Sequence, residues 1–268
     1  MEFEPLEPQP SPMLPEDVSV PVPPRRDMWS YWDLLSILFF AAVALGICAA
    51  LAAVASAALG NFFGIHAPLN EPPYLVYWSL GIQAIWWALV FAFIYYIVSI
   101  KYRLPFLTTL GFTSYRAPTL WFVILGAALA FAVGLTGQLI GAPHDTPMME
   151  LLKDPSPLWL IGIFAVLLGP VTEEVAFRGF LFLPLERGMG AAAAIIITSA
   201  VFTAPHGAQY GWSWQILLLL FAAGASFGFV RWKTGSLWPA IVMHIAYNGL
   251  QFGAFFAAEQ YGVGKVAP

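Results

Sequence analysis

Charge is scarce in this chain. Only 10% of its 268 residues are Asp, Glu, Lys or Arg, where soluble domains carry about 25%. Hydrophobic residues make up 60%, and the mean hydropathy is +0.76. A soluble protein of this composition would leave more apolar surface in water than a monomer tolerates, so a bilayer is its natural solvent. Cysteine is nearly missing too. Cys48 alone excludes an intrachain disulfide and a cysteine metal cluster, and its Ala-rich apolar surroundings read as those of a packed thiol. No basic stripe accompanies the net charge of −4, which excludes nucleic acid as a partner. The start of the chain lacks the basic stretch and short apolar run of a signal peptide.

What charge there is concentrates at one end. Residues 1–28 hold six acids, two arginines and eight prolines, a composition that cannot bury a core. This segment reads as a disordered, acidic, Pro-rich tail that is solvated on the cytoplasmic side. Residues 29–268 form the transmembrane helical domain, an all-α polytopic bundle of about seven spans. Apolar runs of the length needed to cross ~30 Å of hydrocarbon fall near 33–59, 74–100, 120–140, 158–185, 191–205, 214–230 and 237–257. The fifth is short and depends on its neighbours. Trp29, Trp32, Tyr74, Trp78, Trp121, Trp159, Trp214 and Trp238 lie at the ends of these runs, as interfacial aromatics do.

Basic residues orient the bundle. Arg25, Arg26, Lys101, Arg103, Arg116, Arg187, Arg231 and Lys233 fall on one side, and only Lys153 and Lys265 on the other. The positive-inside rule makes the first side, and with it the amino terminus, cytoplasmic. The chain is thus expected to be an integral multi-pass protein, of the plasma membrane in a prokaryotic source.

The few charges inside the spans carry the functional information. Each costs ~2.5–3.5 kcal/mol at the centre of a helix on insertion scales. The fourth span contains Gly169-Pro170-Val171-Thr172-Glu173-Glu174-Val175-Ala176-Phe177-Arg178. Glu174 and Arg178 stand at i,i+4 on one face, where pairing lowers the cost of burying either. Glu173 points ~100° away, without Arg178 as a partner, and an unpaired buried carboxylate can serve as a base. The fifth span ends in Phe202-Thr203-Ala204-Pro205-His206, and the seventh holds His244-Ile245-Ala246-Tyr247-Asn248, with His244 and Asn248 on one face. Singly, each could be a cap or an interhelical hydrogen bond. His66 and His144 fall in outer loops and read as water-facing.

Depth decides whether these groups meet. At 1.5 Å per residue, His206 lies roughly 22 Å above Ala191, and His244 and Asn248 lie roughly 12 and 18 Å above Ser236. Glu173 lies roughly 21 Å up if its helix runs unbroken to Arg187. The set then converges, with the helix tilted or bent at Gly169-Pro170, where proline breaks the hydrogen-bond ladder.

Glu-Glu-x-x-x-Arg, Phe-x-x-x-His and His-x-x-x-Asn in this order, between Glu173 and Asn248, resemble the CAAX prenyl protease type II and bacteriocin-processing family, also called the abortive-infection family, of intramembrane endopeptidases. The protease-like region is 158–257. The resemblance implies that Glu173 with His206 activates the attacking water, that His244 and Asn248 stabilise the oxyanion, and that Glu174 and Arg178 form a supporting ion pair. It implies a membrane-associated peptide, prenylated or not, as substrate and no cofactor. Zinc is the alternative, although asparagine is a weak ligand for it. Two rivals remain. Gly224-Ala225-Ser226-Phe227-Gly228 fits the nucleophile-elbow pattern, but that motif needs a strand–turn–helix, and small residues at this spacing also serve close helix packing. The other rival is a non-catalytic membrane scaffold or immunity protein that keeps the motif as a polar core.

Overall fold

The computed structural model describes residues 28–63, 74–152, 154 and 156–261. The tail 1–27, His66, Lys153 and Lys265 lie outside the described residues. Nine helices are found among them, and no strand. They are α1 (Tyr31–Phe63), α2 (Tyr74–Lys101), α3 (Phe106–Leu110), α4 (Thr119–Leu139), α5 (Pro147–Leu151), α6 (Leu158–Met189), α7 (Ala191–Thr203), α8 (Trp214–Thr234) and α9 (Trp238–Tyr261). Six of them, α1, α2, α4, α6, α8 and α9, are long and apolar enough to cross a membrane. The fifth expected span is α7, which with a tightened final turn reaches only from Ala191 to His206. Its neighbours compensate: it packs between the second half of α6 and α8.

The start of α1, the end of α2 and the end of α6 are fastened at one end of the bundle. Asp33, in the first turn of α1, takes hydrogen bonds from Ser30 and from the Tyr102 hydroxyl (2.6 Å), and it pairs with Lys101. A carboxylate there also complements the positive end of the helix dipole. Trp29 stacks on Phe180 at 4.8 Å and donates its indole N–H to the Phe180 carbonyl at 3.0 Å. Gly188 lets the Tyr31 hydroxyl reach the last turn of α6, since a Cβ would lie 1.7 Å from that oxygen.

A core of fully buried side chains, with Trp29, Ile94, Leu110, Phe180, Phe182 and Leu237 among them, fills this end. A second cluster joins α4, α8 and α9 through Phe122, Phe227, Met243 and Tyr247. There the backbones nearly touch, because a Cβ on Gly126 would sit 2.2 Å from the Met243 carbonyl oxygen. Small residues permit such contact where no hydrophobic effect drives helices together. Cys48 is buried, as expected. Large apolar side chains remain exposed along the outer faces, for example Phe39, Leu120, Phe131 and Leu139, which suits lipid rather than water.

Candidate active site

The fourth span is one continuous helix from Leu158 to Met189, the case in which the polar residues share a depth. It is not uniform. Phe164–Leu168 form a widened turn, so the Gly169 N–H bonds to the Phe164 carbonyl five residues back. Pro170, next in line, has no N–H to give to Ala165. In low dielectric an orphaned carbonyl is costly, and Asn248 answers it: its Nδ2 donates to the Ala165 oxygen at 2.7 Å. The irregularity that Gly169-Pro170 predicts is thus the place where α9 is tied to α6.

Below this point lies a dry ion cluster. Glu174 and Arg178 are completely buried, with Nη1 to Oε1 at 3.0 Å. The second nitrogen of the guanidinium, Nη2, donates to the Gly224 carbonyl at 2.6 Å. The aromatic faces of Phe202, Phe227 and Phe177 surround the cation at 5.0, 5.7 and 6.0 Å, distances at which ring quadrupoles attract it. Gly224 is small because a Cβ there would meet Phe202 at 3.0 Å and Arg178 at 3.1 Å. Glu174 Oε1 also accepts from His244 Nδ1 at 3.0 Å.

His244 therefore stands between the two carboxylates. Its Nδ1 faces Glu174, its Nε2 lies 3.8 Å from Glu173 Oε2, and its ring stacks on Phe227 at 4.3 Å. The separation from Glu173 exceeds a hydrogen bond, so Nε2 is not committed to that carboxylate. His206 Nδ1 lies 2.9 Å from the Phe202 carbonyl, which can only accept, so Nδ1 carries the proton and Nε2 is left free.

Glu173, His206, His244 and Asn248 all line one cavity of about 180 Å³. All six residues singled out from the sequence are thus brought together. Glu173, with 19% of its side chain exposed, is the carboxylate open to the cavity, and Glu174 is the sealed one. Among the described residues, His206 forms no ion pair with either glutamate; the histidine nearest both is His244. No group of three or more His, Cys, Asp or Glu side chains among the described residues is arranged to hold a metal. Ser226 donates its hydroxyl to the Ala222 carbonyl of its own helix and does not line the cavity, and Gly224 and Gly228 pack against α7. The serine rival therefore gains no support from this cavity. His144 is exposed, as expected.

The cavity has polar lining that sequence reasoning missed: Gln83, Gln209, Tyr210, Tyr247 and Gln251. Burial, and then the Glu173 charge, push the Tyr210 phenol upward, so it stays a protonated donor. A signal existed for two of these. Tyr247 and Gln251 follow His244 by three and seven positions and so share its helix face.

Among known proteins, the family model described as type II CAAX prenyl endopeptidase Rce1-like matches residues 155–250. Neither curated proteins nor solved structures yield a match. The matched stretch covers α6, α7, α8 and the first half of α9 and contains every residue of the three motifs. Through this segment, which is less than half of a multi-pass helical membrane protein, the chain is similar to the CAAX prenyl protease and bacteriocin-processing family.

Proposed function

We propose that the chain is an intramembrane endopeptidase whose base is a glutamate. The family match over residues 155–250 supports a protease acting on a peptide or protein substrate at the membrane; the residue roles are our reading. Glu173 and His206 take a proton from water, whose oxygen attacks the peptide carbonyl carbon. The resulting oxyanion is held by His244 Nε2 and Asn248 Nδ2. The proton passes to the leaving nitrogen, the C–N bond breaks, and a carboxylic acid and an amine remain.

One observation carries this reading: four motif side chains from three helices face one small cavity, and a sealed ion pair underlies it. Peptide hydrolysis needs a base for water, a donor to the leaving amine and oxyanion donors fixed in advance. The Asn248 amide has two N–H groups. One is spent on Ala165, which fixes the plane of the other. With Nδ1 turned to Glu174, the Nε2 of His244 is the ring nitrogen that faces Glu173 and the cavity. The amino terminus and the basic loops belong on the cytoplasmic side in this reading, and neither metal nor cofactor takes part.

The test is turnover of a quenched-fluorescent peptide library by the purified protein reconstituted in liposomes, with products identified by mass spectrometry. Internal peptide bonds are expected to be cut. Peptides bound stoichiometrically and recovered intact would favour the scaffold instead.

A further inference from the structure

We infer that the catalytic cavity opens on the membrane face opposite the basic loops, so that its substrates are peptide segments presented at the non-cytoplasmic surface. The inference rests on the peptidase reading of the site and adds to it the side from which substrate arrives.

The cavity is lopsided. Its lining from α6 runs from Ile161 to Glu173, all in the half that begins at Leu158. Leu80 and Gln83 come from the corresponding half of α2, and His206 from the far end of α7. The remaining wall is made by loops of that same end: Met148 of α5, with Gln209 and Tyr210 of the turn between α7 and α8. The Met148 N–H donates to the Gln209 carbonyl at 2.9 Å, which joins these loops into one rim. No lining residue comes from the loops at the other end.

That other end is closed. Beneath Glu173 lie the buried Glu174–Arg178 pair and then Arg231, whose Nε donates to the Arg178 carbonyl at 3.3 Å. Below them Leu110, Phe180, Phe182 and Leu237 are completely buried. A peptide approaching from this side would have to displace the dry core, whereas from the α5 side it meets a polar rim.

Charge then assigns the two faces. Among the described residues, the closed end carries Lys101, Arg103, Arg116, Arg187, Arg231 and Lys233. The end bearing the rim carries Asp145, Glu150 and Asp154 and, among the described residues, no Lys or Arg; Lys153 and Lys265 belong to it in the sequence. Cytoplasmic loops collect lysine and arginine, so the rim faces away from the cytoplasm. A lipid-modified carboxy terminus made in the cytosol would reach the sealed side, while an exported or membrane-tethered peptide reaches the open one.

The experiment reads sidedness independently of catalysis. In the full-length chain carrying Cys48→Ala, single cysteines are introduced as Ser156→Cys beside the rim and Ser114→Cys at the basic end, both at exposed positions. Intact cells of a bacterial host are treated with a membrane-impermeant maleimide before and after permeabilisation. Ser156→Cys is expected to label in intact cells, and Ser114→Cys only after permeabilisation. The reverse pattern, or equal labelling of both before permeabilisation, would overturn the inference, as would protection of Ser156→Cys until permeabilisation. Ala208→Cys and Thr108→Cys, also exposed, form a second pair if either variant fails to accumulate. Failure of the library to be cut would sink the peptidase reading without changing the labelling pattern, so the two failures are distinguishable.

Discussion

Arg178→Ala is expected to lower the stability of the bundle by about 3–5 kcal/mol, the range for removing one partner of a buried ion pair. Three losses combine. Glu174 would be left fully buried without its guanidinium partner, and its Oε2 already lacks a hydrogen bond. The Gly224 carbonyl would lose its donor, and the aromatic cage of Phe177, Phe202 and Phe227 would enclose a void. Arg178→Lys should recover little, because an ammonium cannot bridge Glu174 and Gly224 as the planar guanidinium does. Thermal unfolding in detergent micelles checks this, with Glu174→Gln/Arg178→Ala alongside. The double variant should be more stable than Arg178→Ala alone, since no unpaired charge remains. An unchanged midpoint for Arg178→Ala would mean that the pair does not hold α6 to α8.

Loss of the oxyanion donors is the second large effect. His244→Ala and Asn248→Ala should each lower kcat by about 10²–10³, the usual cost of one such donor. KM should move little, because the interaction forms mainly in the transition state. Both variants should also lose stability, because each removes a hydrogen bond between α9 and α6. Asn248→Ala also leaves the Ala165 carbonyl without a donor at the Pro170 break, worth about 1 kcal/mol for an interhelical hydrogen bond in a membrane protein. Asn248→Asp should be worse in both respects, since a carboxylate would face that carbonyl and repel the oxyanion. Steady-state kinetics on a peptide selected from the library, paired with unfolding midpoints, separates the two contributions. An unfolding midpoint of Asn248→Ala equal to that of the wild type would contradict the tie between Asn248 and α6.

The spans could be read from sequence because hydrophobic length is dictated by the bilayer and leaves little freedom. The pairing of Glu174 with Arg178 was equally legible, being set by one turn of helix. The convergence of Glu173, His206, His244 and Asn248 needed one structural assumption, an unbroken α6, and Leu158–Met189 meets it. Other features depend on three-dimensional neighbours. Nothing in the spacing of His244 shows that its Nδ1 faces Glu174, because that contact depends on how α9 is rotated against α6. The Asn248–Ala165 bond follows from Pro170 only once the preceding turn is seen to widen. Tyr210 and Gln209 lie in an irregular turn held by Met148, where no periodicity reports which side chain points inward. Gln83 was visible as a polar residue in an apolar span, yet only the approach of α2 to α6 makes it part of the cavity.

Peptide hydrolysis by a glutamate is open to one decisive assay. Purified protein, stripped of metal and held in excess chelator, is given a cleavable peptide from the library, wild type beside Glu173→Gln. Cleavage is expected to survive chelation and to fall by about 10²–10⁴ in the variant, the contribution of a positioned general base. The variant should retain the wild-type unfolding midpoint, because Glu173 lies open to the cavity and outside the Glu174–Arg178 pair. Activity lost on chelation and restored by zinc, or cleavage undiminished in Glu173→Gln, would contradict the account.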